Sequence, residues 1–161
     1  TITERFSKIG SLPKLVESDI VEETKDAFDY LKRRSSKLIH FSFSSKVNQL
    51  PVLLNSSLYN WTIENLVKNG IDAMRGKGSI AIEIVPDGKY VNILIADTGH
   101  GISKSNYNSI FTPGFTSKKR GWGLGLSLVK RIVEEYHDGK IKVLSSGKEG
   151  TIMQISLKVS H

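Results

Sequence analysis

Three blocks decide how this chain reads: Asp97-Thr98-Gly99-His100-Gly101-Ile102, then Phe111-Thr112-Pro113-Gly114-Phe115-Thr116-Ser117-Lys118, then Gly121-Trp122-Gly123-Leu124-Gly125-Leu126. With their flanks, residues 93–133, they spell a strand, a glycine turn, a loop, a second glycine turn and a helix. An acid ending an apolar strand beside glycines can accept hydrogen bonds from a ligand that the backbone approaches closely. The second glycine cluster opens an amphipathic helix, where free N–H groups and the helix dipole favour phosphate. Between the two lie Lys118, Lys119 and Arg120, three cations on a loop bounded by Gly and Pro. A polar anchor, a phosphate cradle and a basic lid together point to a nucleotide pocket.

Upstream, residues 79–86 and 90–97 alternate, with Ile80, Ile82, Ile84 and Val91, Ile93, Ile95 as matching apolar sets, joined by Pro86-Asp87-Gly88-Lys89 as a hairpin turn. Before them a long helix is expected over residues 58–75, capped by Ser56 or Ser57 and stopped by Gly76-Lys77-Gly78. Asn65, Asn69 and Asp72 form a polar row on it, at i, i+4 and i+7. Such a row either faces water or meets a partner, because burying a carboxamide requires one. Further back, Leu38 to Ser44 alternates like a strand, with Ile39, Phe41 and Phe43 on one side. A helix with Val21, Thr24, Phe28 and Leu31 as its stripe starts at Asp19 and runs to about Arg34. Residues 47–55 read as a connector with a short strand at 52–54.

Downstream, residues 102–110 read as a short helix or turn, and residues 124–137 as a helix with Gly139 as its C-cap. Residues 140–145 and 151–159 read as a closing hairpin through Gly147-Lys148-Glu149-Gly150. Roughly three helices and five or more strands, mostly hairpin-joined, predict an α+β two-layer sandwich: a mixed, mostly antiparallel sheet with the helices on one face. A doubly wound parallel sheet, which needs regular βα alternation, does not fit.

The 161 residues suffice for one domain with a substantial core, and 39% hydrophobic with 24% charged residues suits a soluble protein. No apolar run is long enough for membrane insertion. The chain has no cysteine, which is compatible with a reducing cytoplasm. The net charge of +7 reads mainly as a solvated basic surface. Without a long basic run beyond residues 118–120, nucleic acid is not expected as a partner. The four histidines are scattered, with neither cysteines nor a helical pair to make a zinc site. Gly70 and Gly76-Lys77 have the wrong spacing for a P-loop and end a helix instead of opening one.

Taken in order, the blocks resemble the ATP-binding catalytic domain of sensor histidine kinases, in the wider family that includes gyrase, Hsp90 and MutL. Glu64-Asn65-Leu66-Val67-Lys68-Asn69-Gly70-Ile71-Asp72-Ala73-Met74 is similar to the family's N box. Residues 97–102 resemble the first glycine box, residues 111–118 the F box and residues 121–129 the second glycine box. Gly150-Thr151 is similar to the last glycine element. The match covers about residues 38–159 and implies a Bergerat-type ATP-binding fold. Residues 1–17 resemble the segment leaving a dimerising, histidine-bearing helix pair, with the catalytic domain at 18–161.

The resemblance implies ATP and Mg2+ as ligands and assigns roles. Asp97 would accept the adenine amino group, with Thr151 supporting it from the next strand. Gly99 and Gly101 would let backbone and water reach the base, and Ile102 would belong to the nucleotide-binding set. Asn69 would hold Mg2+ bridging the phosphates, with Asn65 beside it. Gly121, Gly123, Leu124 and Gly125 would wrap the phosphates, and Leu126 would supply a backbone N–H. Phe111 and Phe115 would hinge and pin the lid; Thr116 lies in the nucleotide-binding lid, and Lys118, with Arg120, would neutralise phosphate charge.

Phosphoryl transfer asks mainly for positioning and charge neutralisation. A neutral imidazole already presents a lone pair, so a histidine acceptor needs no strong base. The family's ATP-hydrolysing members carry a glutamate four residues before the magnesium-binding asparagine, to activate water. Here that position is Asn65. Glu64 is next door, rotated about 100° around the helix, and stands as a candidate base or as an orienter of the acceptor histidine. A histidine kinase is therefore the favoured reading. An ATPase, or a Ser/Thr kinase of the anti-sigma-factor type, is the alternative.

Two positions depart from the family pattern. Gly70 stands where Ala is usual, at a cost of about 1 kcal/mol in helix propensity. Asp72 stands where many histidine kinases have Lys, which shifts phosphate neutralisation onto the lid. No histidine here sits in a phosphoacceptor-like setting: His40 precedes Phe41, and His137 precedes Asp138-Gly139. The resemblance thus implies a chain that does not phosphorylate itself and acts on a histidine of a separate dimerising domain. Its downstream partner would be a response-regulator receiver domain. A cytoplasmic location is expected, including as the cytoplasmic part of a membrane-anchored sensor.

Overall fold

The structure, a computed structural model, describes residues 13–113 and 125–160. The elements run β1 (Val16–Asp19), α1 (Ile20–Arg34), β2 (Ile39–Ser45), β3 (Pro51–Leu54), α2 (Ser56–Ala73), β4 (Gly78–Asp87) and β5 (Tyr90–Asp97). Two 3-10 turns follow, Lys104–Asn106 and Ser109–Phe111. Then come α3 (Gly125–Arg131), which passes into a π turn (Ile132–Tyr136), β6 (Lys140–Gly147) and β7 (Gly150–Lys158).

The main sheet has the order β2-β4-β5-β7-β6. Only β2 and β4 pair in parallel; the other three pairs are antiparallel. Alternation fixes which face is inward, because neighbouring side chains on a strand point to opposite faces. Ile80, Ile82 and Ile84 on β4, Val91, Ile93 and Ile95 on β5, and Met153, Ile155 and Leu157 on β7 are all buried. The residues between them are not. The helices cover this one face, with α2 against β4 and β5, α1 against β2, and the π turn against β6. The result is the α+β two-layer sandwich with a mixed, mostly antiparallel sheet that the alternation predicts.

The helix ends follow local chemistry. Asp19 caps α1, its carboxylate accepting from the Val21 N–H at 3.1 Å and from the Leu50 N–H at 3.0 Å. Glu22 and Glu23 occupy the first turn and Lys32, Arg33 and Arg34 the last, the arrangement the helix dipole favours. The cap of α2 is Asn55, neither Ser56 nor Ser57: its side-chain oxygen accepts from the Leu58 N–H at 3.1 Å. A buried histidine secures the same corner. His137 Nδ1 lies 2.9 Å from the Ile132 carbonyl and so carries the proton, and Nε2 accepts from the Asn55 N–H at 3.1 Å. The start of α2 is thereby tied to the end of the π turn.

Three further features differ from the sequence expectation. A second small sheet pairs β1 with β3, so Val16 and Glu17, placed by sequence in the N-terminal segment, face Leu54 and Leu53. The helix expected over 124–137 changes to π geometry after Arg131. Gly139 is not its left-handed C-cap; Asp138 takes positive φ, at 54°. Glycine serves at 139 for close approach, since a Cβ there would come within 2.5 Å of the Ser156 carbonyl oxygen. Among the described residues, no helix is long and apolar enough to cross a membrane.

Candidate functional site

Asp97 is the last residue of β5 on the core-facing row, after Val91, Ile93 and Ile95. It is paired across the sheet with Ile80 of β4 on one side and Thr151 of β7 on the other. A carboxylate in an otherwise aliphatic row requires donors. The Gly99 N–H donates to Asp97 Oδ1 at 2.8 Å, and the Thr151 backbone N–H donates as well. Burial raises the carboxyl above its ordinary value; the two backbone donors and the nearby His100 only partly oppose this. From above, Gly70 of α2 lies directly over the acid, where a Cβ would be 3.1 Å from Asp97 Cβ and 3.2 Å from Oδ2.

The turn after Asp97 is held on both sides. The His100 N–H donates to the Ala73 carbonyl at the end of α2, at 3.2 Å. Gly101 adopts φ 85°, and a Cβ there would overlap the Gly147 carbonyl of the β6–β7 hairpin. The Ile102 N–H donates to Ser146 Oγ at 2.6 Å, and Ser146 Oγ lies 2.7 Å from Thr151 Oγ1. Ser146 was not legible as a site residue from its sequence surroundings.

Helix α2 divides its polar residues between two sides. Asn65 Nδ2 donates to the Trp61 carbonyl at 3.1 Å, and its Oδ1 would lie 3.2 Å from a Cβ built on Gly125. Asn65 therefore faces the start of α3, with Asn69 one turn along, half-buried, and Asp72 beyond it, exposed. Glu64 is not brought to this row. It pairs with Lys68 at 3.5 Å and, with Val67 and Ile71, lines a surface groove of about 250 Å3 against Tyr30, Leu31 and Arg34 of α1. One residue step on a helix turns it to the α1 side.

Phe111 is buried at the end of the second 3-10 turn, with the Lys130 ammonium 5.8 Å from its ring centre. Gly125 opens α3, and Leu126 packs partly buried against the core. Thr116, Lys118, Gly121, Gly123 and Leu124 lie outside the described residues, as do Phe115, Lys119 and Arg120. Among the described residues, no cluster of three or more His, Cys, Asp or Glu could hold a metal. Hard oxygen donors here would come from the asparagine amides, a set that suits magnesium only when phosphate oxygens and water complete its shell.

This pocket floor, an acid at a strand end under a helix bearing two asparagines, lies within residues 57–161, where the model for the histidine kinase-, DNA gyrase B- and HSP90-like ATPase family matches. The chain belongs to that family. Sensor histidine kinases are among its relatives. A putative NtrY-like sensor histidine kinase of Rickettsia felis is 29% identical over 145 residues, 89% of this chain and 24% of that protein. The sensor histidine kinase ZraS of Escherichia coli is 40% identical over 96 residues, 60% of this chain and 20% of that protein. Among solved structures, the nucleotide-free catalytic domain of histidine kinase ThkA superposes with a TM-score of 0.82 at 27% identity, covering 90% of this chain and 95% of that one. The chain spans about a quarter of the length of the sensor kinases it matches.

Proposed function

We propose that this chain is the ATP-binding catalytic domain of a sensor histidine kinase, transferring the γ-phosphate of ATP to a histidine outside it. The observation that carries this reading is the half-buried Asp97, held by two backbone donors on the core row of β5 under Gly70. An ionised carboxylate there accepts from the adenine N6 amino group and repels the O6 of guanine, so it selects the base. Burying that charge is costly, which is why the pKa is raised, and a ligand donor would relieve the cost.

Asn69, with Asn65 beside it, would hold Mg2+ against the phosphates. The metal supplies charge neutralisation for the transferred group. The start of α3 at Gly125 would offer backbone N–H groups to the same phosphates, with the Leu126 N–H following. Lys118 and Arg120 would add cationic charge from the lid. The rest of the catalysis is positioning: the acceptor imidazole brings its own lone pair and needs to be held in line.

The placement of Glu64 supports kinase over ATPase. Its carboxylate is paired with Lys68 on the α1 side, and the helix position that faces α3 carries an asparagine, which cannot take a proton from water. The acceptor domain, a response regulator as downstream partner and a cytoplasmic location follow from the sensor-kinase relatives as parts of this reading. ThkA itself has been solved in complex with the response regulator TrrA. The direct test joins this chain to a dimerising helix pair bearing a candidate acceptor and supplies labelled ATP. Acid-labile, base-stable phosphate on that histidine is the expected result. Steady phosphate release by this chain alone, abolished by Glu64→Ala, would favour the ATPase.

A further inference from the structure

The β6–β7 ladder carries an irregularity next to the site. Val143 pairs with Met153, yet the next paired residues are Ser145 with Ile152 and Ser146 with Thr151. Leu144 is the extra residue, left 43% exposed. A bulge of this kind shifts the parity of everything beyond it. On an unbroken ladder, Ser145 would stand opposite Thr151 and Ser146 would fall outside the pair. With the bulge, Ser146 joins the row that runs through Thr151 to Asp97.

Its hydroxyl then makes two hydrogen bonds that the nucleotide end of the site depends on. It accepts the Ile102 N–H at 2.6 Å, pinning the glycine turn to the hairpin. It also shares one proton with Thr151 Oγ1 at 2.7 Å, which fixes how the Thr151 hydroxyl presents itself beside Asp97. Tyr107, directly after the first 3-10 turn, reaches the same residue, its hydroxyl donating to the Ser146 carbonyl at 3.4 Å.

We propose that Ser146, delivered by the Leu144 bulge, is a positioning residue for the base-binding end of the site: it locks the turn at residues 99–102 and orients the Thr151 hydroxyl. This rests on the reading of the pocket as an ATP site. Ser146 acts through the Ile102 amide and through Thr151.

The test is a titration of the chain with Mg-ATP for the unsubstituted protein, Ser146→Ala and Ser146→Thr, together with amide hydrogen exchange at Ile102 without nucleotide. Removing the hydroxyl should weaken ATP binding by about 5- to 50-fold, speed exchange at the Ile102 amide, and lower the thermal midpoint by only a few degrees, since the Ile102 N–H loses its acceptor. Ser146→Thr, which keeps the hydroxyl, should bind ATP within about threefold of the unsubstituted chain. Undiminished ATP affinity in Ser146→Ala, or unchanged exchange at Ile102, overturns the proposal and leaves the ATP site standing. Failure of the unsubstituted chain to bind ATP overturns the site reading and this proposal together.

Discussion

Gly70 and Asp97 are in contact across the helix–sheet interface: a methyl group at position 70 would come within 3.2 Å of the Asp97 carboxylate and 3.0 Å of Ile80 Cδ1. Both neighbours are held. Ile80 is fully buried, and Asp97 is fixed by two backbone donors. The glycine costs about 1 kcal/mol of helix propensity relative to alanine and lets α2 settle closely onto the acid. In Gly70→Ala, the better helix propensity should offset the crowding of the methyl group against Asp97 and Ile80. Stability should therefore stay within about 1 kcal/mol of the parent. Gly70→Val adds bulk with no room for it and should cost about 1–3 kcal/mol and abolish ATP binding. Denaturant unfolding with a parallel ATP titration checks both.

Burial raises the pKa of Asp97, and the sign of the consequence follows. Between the unfolded and folded values the folded state binds more protons, so this residue lowers the stability of the nucleotide-free chain as pH rises through that window. Under the proposed role of Asp97, ATP binding needs the ionised form, so affinity should fall as pH is lowered through the raised pKa. In Asp97→Asn the Asp97 contribution to each slope should disappear. Thermal midpoints and ATP titrations across the acidic range measure them.

His137 behaves in the opposite sense. Burial lowers its pKa, and its neutral form is the one that accepts the Asn55 N–H. The folded chain resists protonation there. The stability this residue contributes is complete above the unfolded value near 6.5 and drains away as pH falls from there toward the lower folded value. His137→Ala leaves the Asn55 N–H without its acceptor and should cost about 1–3 kcal/mol at neutral pH. The acid sensitivity below about pH 6.5 should become shallower in that variant.

The two asparagines of α2 separate metal-dependent from metal-independent binding. If Asn69 holds magnesium against the phosphates, Asn69→Ala should weaken Mg-ATP binding at least tenfold, while leaving the weaker binding measured in EDTA nearly unchanged. An equal loss in both conditions would mean that the residue touches the nucleotide or supports the fold.

Much of this was legible because sheets and amphipathic helices print their periods in the sequence. The alternating isoleucines of β4 and β5 place Asp97 on the core row without any structure. The strand β1 was not legible: Val16-Glu17-Ser18-Asp19 has no two-residue alternation, and it pairs only because β3 lies beside it in space. Three consecutive capping residues, Asn55, Ser56 and Ser57, made the start of α2 ambiguous, and the hydrogen bond to His137, far along the chain, accompanies the choice of Asn55. Helical geometry separates Glu64 from Asn65 by about 100°, but which of them faces α3 depends on where the neighbouring helices pack. Ser146 escaped because counting alternate residues along β6 fails at a bulge.

On the proposed reading, base selection rests on one carboxylate, that of Asp97. Isothermal titration of the chain with Mg-ATP and Mg-GTP, before and after Asp97→Asn, addresses this most directly. Saturable ATP binding, little or none for GTP, and a roughly 10- to 150-fold loss in the variant, the equivalent of about 1.5–3 kcal/mol for a charged hydrogen bond, is the predicted result. An ATP affinity that Asp97→Asn leaves untouched would contradict adenine recognition by this residue.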